Sequence, residues 1–379
     1  MSIEQAADTD ALVVPEKSGA VRDDFHKIFL NDIPLLDVRA PVEFIKGAFP
    51  GSTNHPLMTD EERHLVGIRY KEAGQQDAIK LGAELVTPSL RAERVAKWKQ
   101  FADEYPDGAL YCFRGGLRSR ISQQWLTDAG VQLPIVVGGY KAMRTYLIES
   151  LEAHLESMKV ILIGGRTGNG KTLLINQMGD TLDLERLANH RGSSFGNMGA
   201  EQPSNIDFEN ALSVELMKLA KKGISRLLLE DEARLIGRVC IPEVLVNAMQ
   251  NASIVILDCD MPTRIRNCMD DYVFDLSTRY RDQLGQHEGF AAFKNHHRGS
   301  LSRIQKRFGL ENYHNASELL ESAMDKHEAL DDVSGYAAFI EVMLRDYYDP
   351  MYDYQLNKKH ERVIFQGSAE EISHWATSE

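Results

Sequence analysis

Short apolar runs separated by amphipathic stretches organise this chain. Ile33-Pro34-Leu35-Leu36 leads into Asp37-Val38-Arg39, which predicts a short buried strand ending in charge. From about 58 to 105 the sequence is polar, with apolar residues at helical spacing, Leu65 with Ile68 and then Val95, Trp98 and Phe101. Ala109-Leu110-Tyr111 predicts a second strand, running into Cys112, and a helix follows over Ser119 to Asp128. Ile135-Val136-Val137 predicts a third strand, stopped by Gly138-Gly139. After a connecting helix the pattern restarts. Val160-Ile161-Leu162-Ile163 predicts a buried strand, Gly164 to Gly170 a loop, and Lys171 to Met178 the start of a helix. Arg226-Leu227-Leu228-Leu229 and Ser253-Ile254-Val255-Ile256-Leu257 predict two more strands, and beyond about 262 the pattern is mostly helical. This strand–helix alternation points to α/β architecture, with mostly parallel sheets covered by helices.

A length of 379 residues allows two or three domains of ~150 residues, and the restart places a break near 155. The expected division is an N-terminal extension over 1–19, a first domain over 20–146 with a helical insertion at about 58–105, a connecting helix over 147–157, and a second domain over 158–379. No apolar run approaches the ~18 residues of a membrane span, so no membrane partner is expected. The N-terminus lacks a basic region followed by an apolar stretch, so no secretory signal is expected. Cys112, Cys240, Cys259 and Cys268 form no CxxC pair, which argues against a disulfide scaffold or structural zinc and fits a reducing cytoplasm. The net charge of −13 means that nucleic-acid binding would need a local basic patch.

Gly165-Arg166-Thr167-Gly168-Asn169-Gly170-Lys171-Thr172 fits GxxxxGK[ST], between a predicted strand and a predicted helix. Glycines at 165, 168 and 170 let backbone N–H groups converge on phosphate oxygens at a helix N-terminus. Lys171 can reach terminal phosphate oxygens, and Thr172 is the candidate Mg²⁺ ligand. A second acidic strand end usually accompanies such a loop, and Glu230-Asp231-Glu232 supplies it, with Glu230 at the usual position. A solvated acidic turn is the other reading of that triplet. The motif implies a polyphosphate ligand without selecting ATP, and no tightly bound cofactor is expected beyond Mg²⁺.

Cys112 opens the loop Cys112-Phe113-Arg114-Gly115-Gly116-Leu117-Arg118. Converging amides, Arg114, Arg118 and a following helix N-terminus all favour a nucleophilic thiolate. The spacing from Cys112 to Arg118, followed by Ser119, is CX5R, that of cysteine phosphatases, and suits a tetrahedral anion.

The segment from Leu35-Leu36-Asp37-Val38-Arg39 through Glu43-Phe44 and Gly47 to Asn54, followed by the Cys112 loop, resembles a rhodanese domain over roughly 20–145. Ala48 stands where rhodaneses usually have His, and the loop is one residue longer than the usual sulfurtransferase loop. A rhodanese-like domain joined to a P-loop NTPase-like domain with a helical C-terminal portion resembles the tRNA 2-selenouridine synthase family, the tRNA 2-thiouridine geranyl/selenotransferases. YCFRGGLRS, GGYKAMR at 138–144, GGRTGNGKT at 164–172, LANHRGSSFG at 187–196, LEDEARLIG at 229–237 and YYDPMYDYQL at 347–356 carry that resemblance across nearly the whole chain.

The resemblance implies a transferase acting on the wobble 2-thiouridine of tRNAs for Lys, Glu and Gln. It implies geranyl diphosphate and selenophosphate as substrates and selenophosphate synthetase as a candidate partner. Cys112 would then carry selenium, with Arg114 and Arg118 beside it, while the P-loop neutralises the leaving diphosphate. His190, Arg191 and Phe195 are candidates for the anticodon loop or the prenyl chain, against the alternative of an ordinary polar loop. Lys294, Arg298, Arg303, Lys306 and Arg307 form the candidate tRNA-backbone patch, against the alternative of a solvated helix face. The tyrosines at 347, 348, 352 and 354 read as a packed subdomain or as base-stacking groups. Two other classes stay open: a rhodanese-type sulfurtransferase coupled to a P-loop nucleotidase or kinase, and a regulatory binding protein with a degenerate rhodanese domain. Retention of both Cys112 and Lys171 counts against the last.

Overall fold

The computed structural model describes residues 19–179 and 181–378, so the expected N-terminal extension lies, apart from Gly19, outside the described residues. Among these, two compact units appear. The first comprises the chain to Leu151 together with Ser204–Lys218, and the second Glu152–Pro203 with Leu219 onward.

In the first unit the strands stand in the order Val21–Arg22, Ile135–Val136, Ala109–Tyr111, Leu35–Asp37 and Ser52–Asn54, all parallel. Every residue of the two central strands Leu35–Asp37 and Ala109–Tyr111 is buried, as continuous apolar runs covered on both faces require. The polar insertion forms two helices, Asp60–Leu85 and Pro88–Glu104, begun by side-chain caps from Thr59 and Thr87.

The charged strand end is itself buried. Asp37 and Arg39 are buried and ion-paired at 2.6 Å. Arg39 also donates to the Gly47 carbonyl at 2.8 Å and lies 4.0 Å from the Tyr140 ring centroid. One departure is the stretch Ser204–Lys218, which in sequence lies inside the later domain. It groups with the first unit because Asp207 accepts from the Ala48 amide at 2.6 Å and Asn210 donates to the Ala48 carbonyl at 2.6 Å. Arg144 pairs with Glu209 at 2.9 Å. The connecting helix also begins earlier than expected and spans Gly139–Ser157.

The second unit is built on another parallel sheet, ordered Val363–Gly367, Ser253–Leu257, Lys159–Gly164, Arg226–Glu230 and Thr181–Leu182. The three middle strands are those the apolar runs predict. Val363–Gly367, a strand within the segment expected to be mostly helical, completes one edge. Its alternation of half-buried and exposed residues is the mark of an edge and gives no long apolar run to read. The remaining helices enclose a separate apolar core around Phe293, Leu320, Met324 and Phe339. Among the described residues no helix is long and apolar enough to cross a membrane.

Removing one partner of a buried ion pair leaves an uncompensated charge, which costs about 3–5 kcal/mol. Asp37→Ala should lower the unfolding free energy of the first unit by that amount in urea titrations. Asp37→Ala with Arg39→Met should recover a large part of the loss.

Candidate functional site

In the second unit the chain leaves the central strand at Gly164, turns through 165–170 and enters the helix Lys171–Gln177. Gly168 has φ +81°, and a Cβ there would lie 2.8 Å from both the Arg264 carbonyl and Cys268 Sγ. Only glycine fits that backbone and that gap. The loop is held from outside by the helix Met261–Met269. Arg264 donates to the Thr167 carbonyl at 3.0 Å, and Asn267 to the Gly168 carbonyl at 2.8 Å. Arg264 is itself paired with Asp349 at 2.5 Å, and Arg166 with Asp353 at 2.8 Å. Lys171 Nζ rests on the Gly165 carbonyl at 2.8 Å.

Thr172 Oγ1 donates to Glu230 Oε1 at 2.7 Å, with Glu185 Oε2 3.3 Å away. Carboxylate oxygens of Glu185, Glu230 and Glu232 lie within 4.8 Å of one another, the one such group among the described residues. Glu230 is fully buried and its Oε2 has no hydrogen-bond partner. Asp231, between two members of the cluster, is instead ion-paired with Lys359 at 2.7 Å. Burial above all raises these acids, Glu230 and Glu232 to about 7 and Glu185 well above the carboxylate range; the charge of Glu230 adds to the rise at Glu185 and Glu232, the Thr172 hydrogen bond lowers Glu230, and Lys171 pulls all three back. Hard oxygen donors around one point suit Mg²⁺. The set fits the cation that the motif implies, with Thr172 and Glu230 nearest to hand. Glu185 is a residue the sequence did not expose, because nothing in its spacing ties it to Lys171 or Glu230.

The loop 190–196 packs directly on this cluster. A Cβ at Gly192 would come within 2.7 Å of carboxylate oxygens of Glu185 and Glu232. His190 and Asn197 close the loop as a bridge, and the Arg191 amide donates to the Gly196 carbonyl at 2.8 Å. The side chains named as candidates for the anticodon loop are engaged within the fold. His190 is buried, and burial lowers its pKa. Arg191 is paired with Asp275 at 2.7 Å and Asp271 at 3.2 Å. Phe195 is only 5% exposed and belongs to the apolar core.

The expected basic patch divides in the same way. Lys294 is tied to Glu328 and Arg298 to Glu321, each at 2.6 Å. Arg303, Lys306 and Arg307 instead line one cleft of ≈ 660 Å³ with Ser194, Ile304 and Tyr347. Of the tyrosines, Tyr347 and Tyr348 are buried and Tyr354 is exposed, so packing accounts for the first two. In YYDPMYDYQL it is Asp349 and Asp353 that hold the phosphate loop.

In the first unit Cys112 follows the strand Ala109–Tyr111 and is 3% exposed. Its carbonyl accepts from the Tyr140 amide at 2.9 Å, and that of Phe113 from Lys141 at 3.0 Å, so the GGYKAMR segment braces the cysteine loop. Arg118 makes a two-pronged pair with Glu43, at 2.6 and 3.1 Å. Burial pushes Glu43 up, but Arg118 and Arg63 hold it below the usual range. Arg118 is thus an anchored cation, whereas Arg114 is exposed beside the Phe113 ring.

Fold and loop together define an α/β protein with a P-loop NTPase-like unit and a second, rhodanese-like unit that carries a cysteine-headed loop. Residues 158–379 match the family described as the tRNA 2-selenouridine synthase AAA domain. Relatives named tRNA 2-selenouridine synthase align along nearly their whole length. One from Marinobacter nauticus is 49% identical over 94% of this chain and 97% of its own. One from Pseudomonas fluorescens is 48% identical over 91% and 94%, and one from Photobacterium profundum 44% over 93% and 96%. The chain belongs to the tRNA 2-selenouridine synthase family.

The raised carboxylates set a pH dependence. Between the ordinary carboxylate range and about 7, the unfolded chain releases protons that the folded cluster keeps. Their contribution to stability therefore falls as pH rises through that window. A cation bound to the ionised cluster opposes the loss. Mg²⁺ should raise the thermal midpoint by several degrees more at about pH 8 than at about pH 5.5 in calorimetry, and Glu230→Gln should lose most of that increment. Equal Mg²⁺ effects at both pH values would exclude the cluster as its site.

Proposed function

We propose that this chain is a cytoplasmic transferase that converts the wobble 2-thiouridine of tRNA to 2-selenouridine in two steps. The thiocarbonyl sulfur first takes a geranyl group from geranyl diphosphate. The selenium of selenophosphate then attacks C2 of the base, geranyl thiol leaves, and water cleaves the Se–P bond to release phosphate. The tRNAs would be those for Lys, Glu and Gln, with a selenophosphate synthetase as the source of selenium. The observation that supports this reading is that one chain carries two loops suited to anions, a P-loop beside three clustered acids and a cysteine loop with an anchored arginine.

The phosphate loop suits the first step. Its amides and Lys171 neutralise a leaving diphosphate, and Mg²⁺, when bound at Thr172 and Glu230, supplies further charge neutralisation. The cysteine loop suits the second. Its backbone and Arg118 hold a tetrahedral selenophosphate close to Cys112, with Arg114 at the exposed rim. The tRNA is met by the cleft of Arg303, Lys306 and Arg307, since Lys294 and Arg298 are engaged with glutamates.

Single substitutions should separate the steps. Cys112→Ala should abolish 2-selenouridine and leave S-geranylation largely intact, as read by nucleoside mass spectrometry. Lys171→Ala should slow geranylation by at least ~10²-fold while a supplied S-geranyl tRNA is still selenated. Normal geranylation by Lys171→Ala would assign the loop to another phosphate compound.

Neutralising Arg303, Lys306 and Arg307 together should weaken tRNA binding. It should flatten the log–log salt slope by about 2–3 units, at ~0.7–0.9 for each phosphate left without its cation. Lys294→Ala with Arg298→Ala should change that slope much less. The reverse pattern would place the tRNA surface on the other turn of the helix.

A further inference from the structure

The loop 190–196 touches three surroundings. Gly192 lies against the carboxylate cluster, Ser194 reaches the basic cleft, and Phe195 forms part of a narrow cavity of ≈ 30 Å³. That cavity adjoins the phosphate loop directly, since Thr167 is in its wall. Its other walls include Phe195, Val273, Phe339, Ile340 and Met343, all of them apolar.

Two further features mark it. The helices around it are interrupted by two π-helical turns, Asp270–Asp275 and Leu344–Tyr348, and both send side chains into its wall. Such turns widen a helix locally and recur at functional sites. His297 also lines the cavity. Its Nε2 hydrogen-bonds the Tyr272 carbonyl at 3.0 Å, and its Nδ1 has no partner although the residue is 2% exposed. A buried polar atom without a partner is uncommon and calls for an explanation. Aromatic faces and an unshared lone pair are electron-rich surroundings, suited to a chain whose first carbon gathers positive charge as a diphosphate departs.

We propose that this cavity receives the hydrocarbon tail of an allylic diphosphate whose head sits in the phosphate loop, and that Val273 and Met343 set the tail length accepted. The proposal rests on the reading of the P-loop as a diphosphate site. The head is held by charge and amides, and the tail by burial of apolar carbon. The cavity is too narrow to take a ten-carbon chain without the walls parting. The bulk of the wall side chains therefore decides how much chain enters.

The test uses the full-length protein and a 2-thiouridine tRNA. Prenyl transfer is measured from five-, ten- and fifteen-carbon allylic diphosphates, and inorganic pyrophosphate binding is measured in parallel by calorimetry. Met343→Ala should raise the kcat/KM ratio of fifteen- to ten-carbon donors by about tenfold or more. Val273→Leu should shift preference towards the five-carbon donor by a similar factor. The two changes push in opposite directions, so a general loss of packing cannot mimic the pair. Pyrophosphate, which has no tail, should bind both variants about as it binds the unsubstituted protein. Unchanged chain-length ratios with intact pyrophosphate binding would overturn the cavity assignment alone. Failure of pyrophosphate to compete with the ten-carbon donor in the unsubstituted protein would overturn the diphosphate reading, and the tail assignment with it.

Discussion

The buried guanidinium of Arg264 joins the two halves of the second unit's chemistry. It donates to the Thr167 carbonyl on one side and pairs with Asp349 on the other, and it is itself 2% exposed. Half of the phosphate loop 165–170 is glycine, which leaves it little side-chain packing of its own to fix its shape. Here the fixing comes from outside, through Arg264, Asn267 and the Arg166–Asp353 pair. A buried pair of this kind contributes less to net stability than to specifying one geometry, because desolvation of both charges offsets their attraction. The loop therefore depends on helices far along the chain.

That dependence explains why polar and apolar parts of the site lie together. Met261–Met269 braces the phosphate loop, and the π-helical turn after it lines the apolar cavity. The 190–196 loop fits between, with glycine where a side chain would strike the carboxylates and phenylalanine where the wall is apolar. Three carboxylates pushed together, one buried and two half-buried, are costly unless protons or a cation are present, so the site stores an electrostatic demand that a cation can meet.

The first unit follows the same logic with different parts. Arg39 and Asp37 form a charged pair inside the core, roofed by the Tyr140 ring, and tie the end of their strand to the Gly47 carbonyl. Glu43 plays the corresponding part for the cysteine loop by holding Arg118. In both units a carboxylate that lies close in space positions an arginine at the edge of a glycine-bearing loop.

The apolar runs determined the central strands, because a strand covered on both faces must be apolar throughout, and that pattern is local. The phosphate loop and the cysteine loop were legible for a similar reason: their chemistry is carried by consecutive backbone amides and side chains. The edge strand Val363–Gly367 was not legible, since an edge needs no continuous apolar run. Nor was the attachment of Ser204–Lys218 to the first unit, which rests on Asp207 and Asn210 meeting the backbone of Ala48 more than 150 residues earlier. Charge shows the same divide. Lys294, Arg298 and Arg191 read as available cations in sequence, and only the folded chain brings Glu328, Glu321 and Asp275 to them. Glu185 joins Glu230 and Glu232 for the same reason. Sequence determines what each residue can do locally, whereas partners distant in the chain decide which charges stay available, because Coulomb and hydrogen-bonding forces act over ångströms in space and not along the chain.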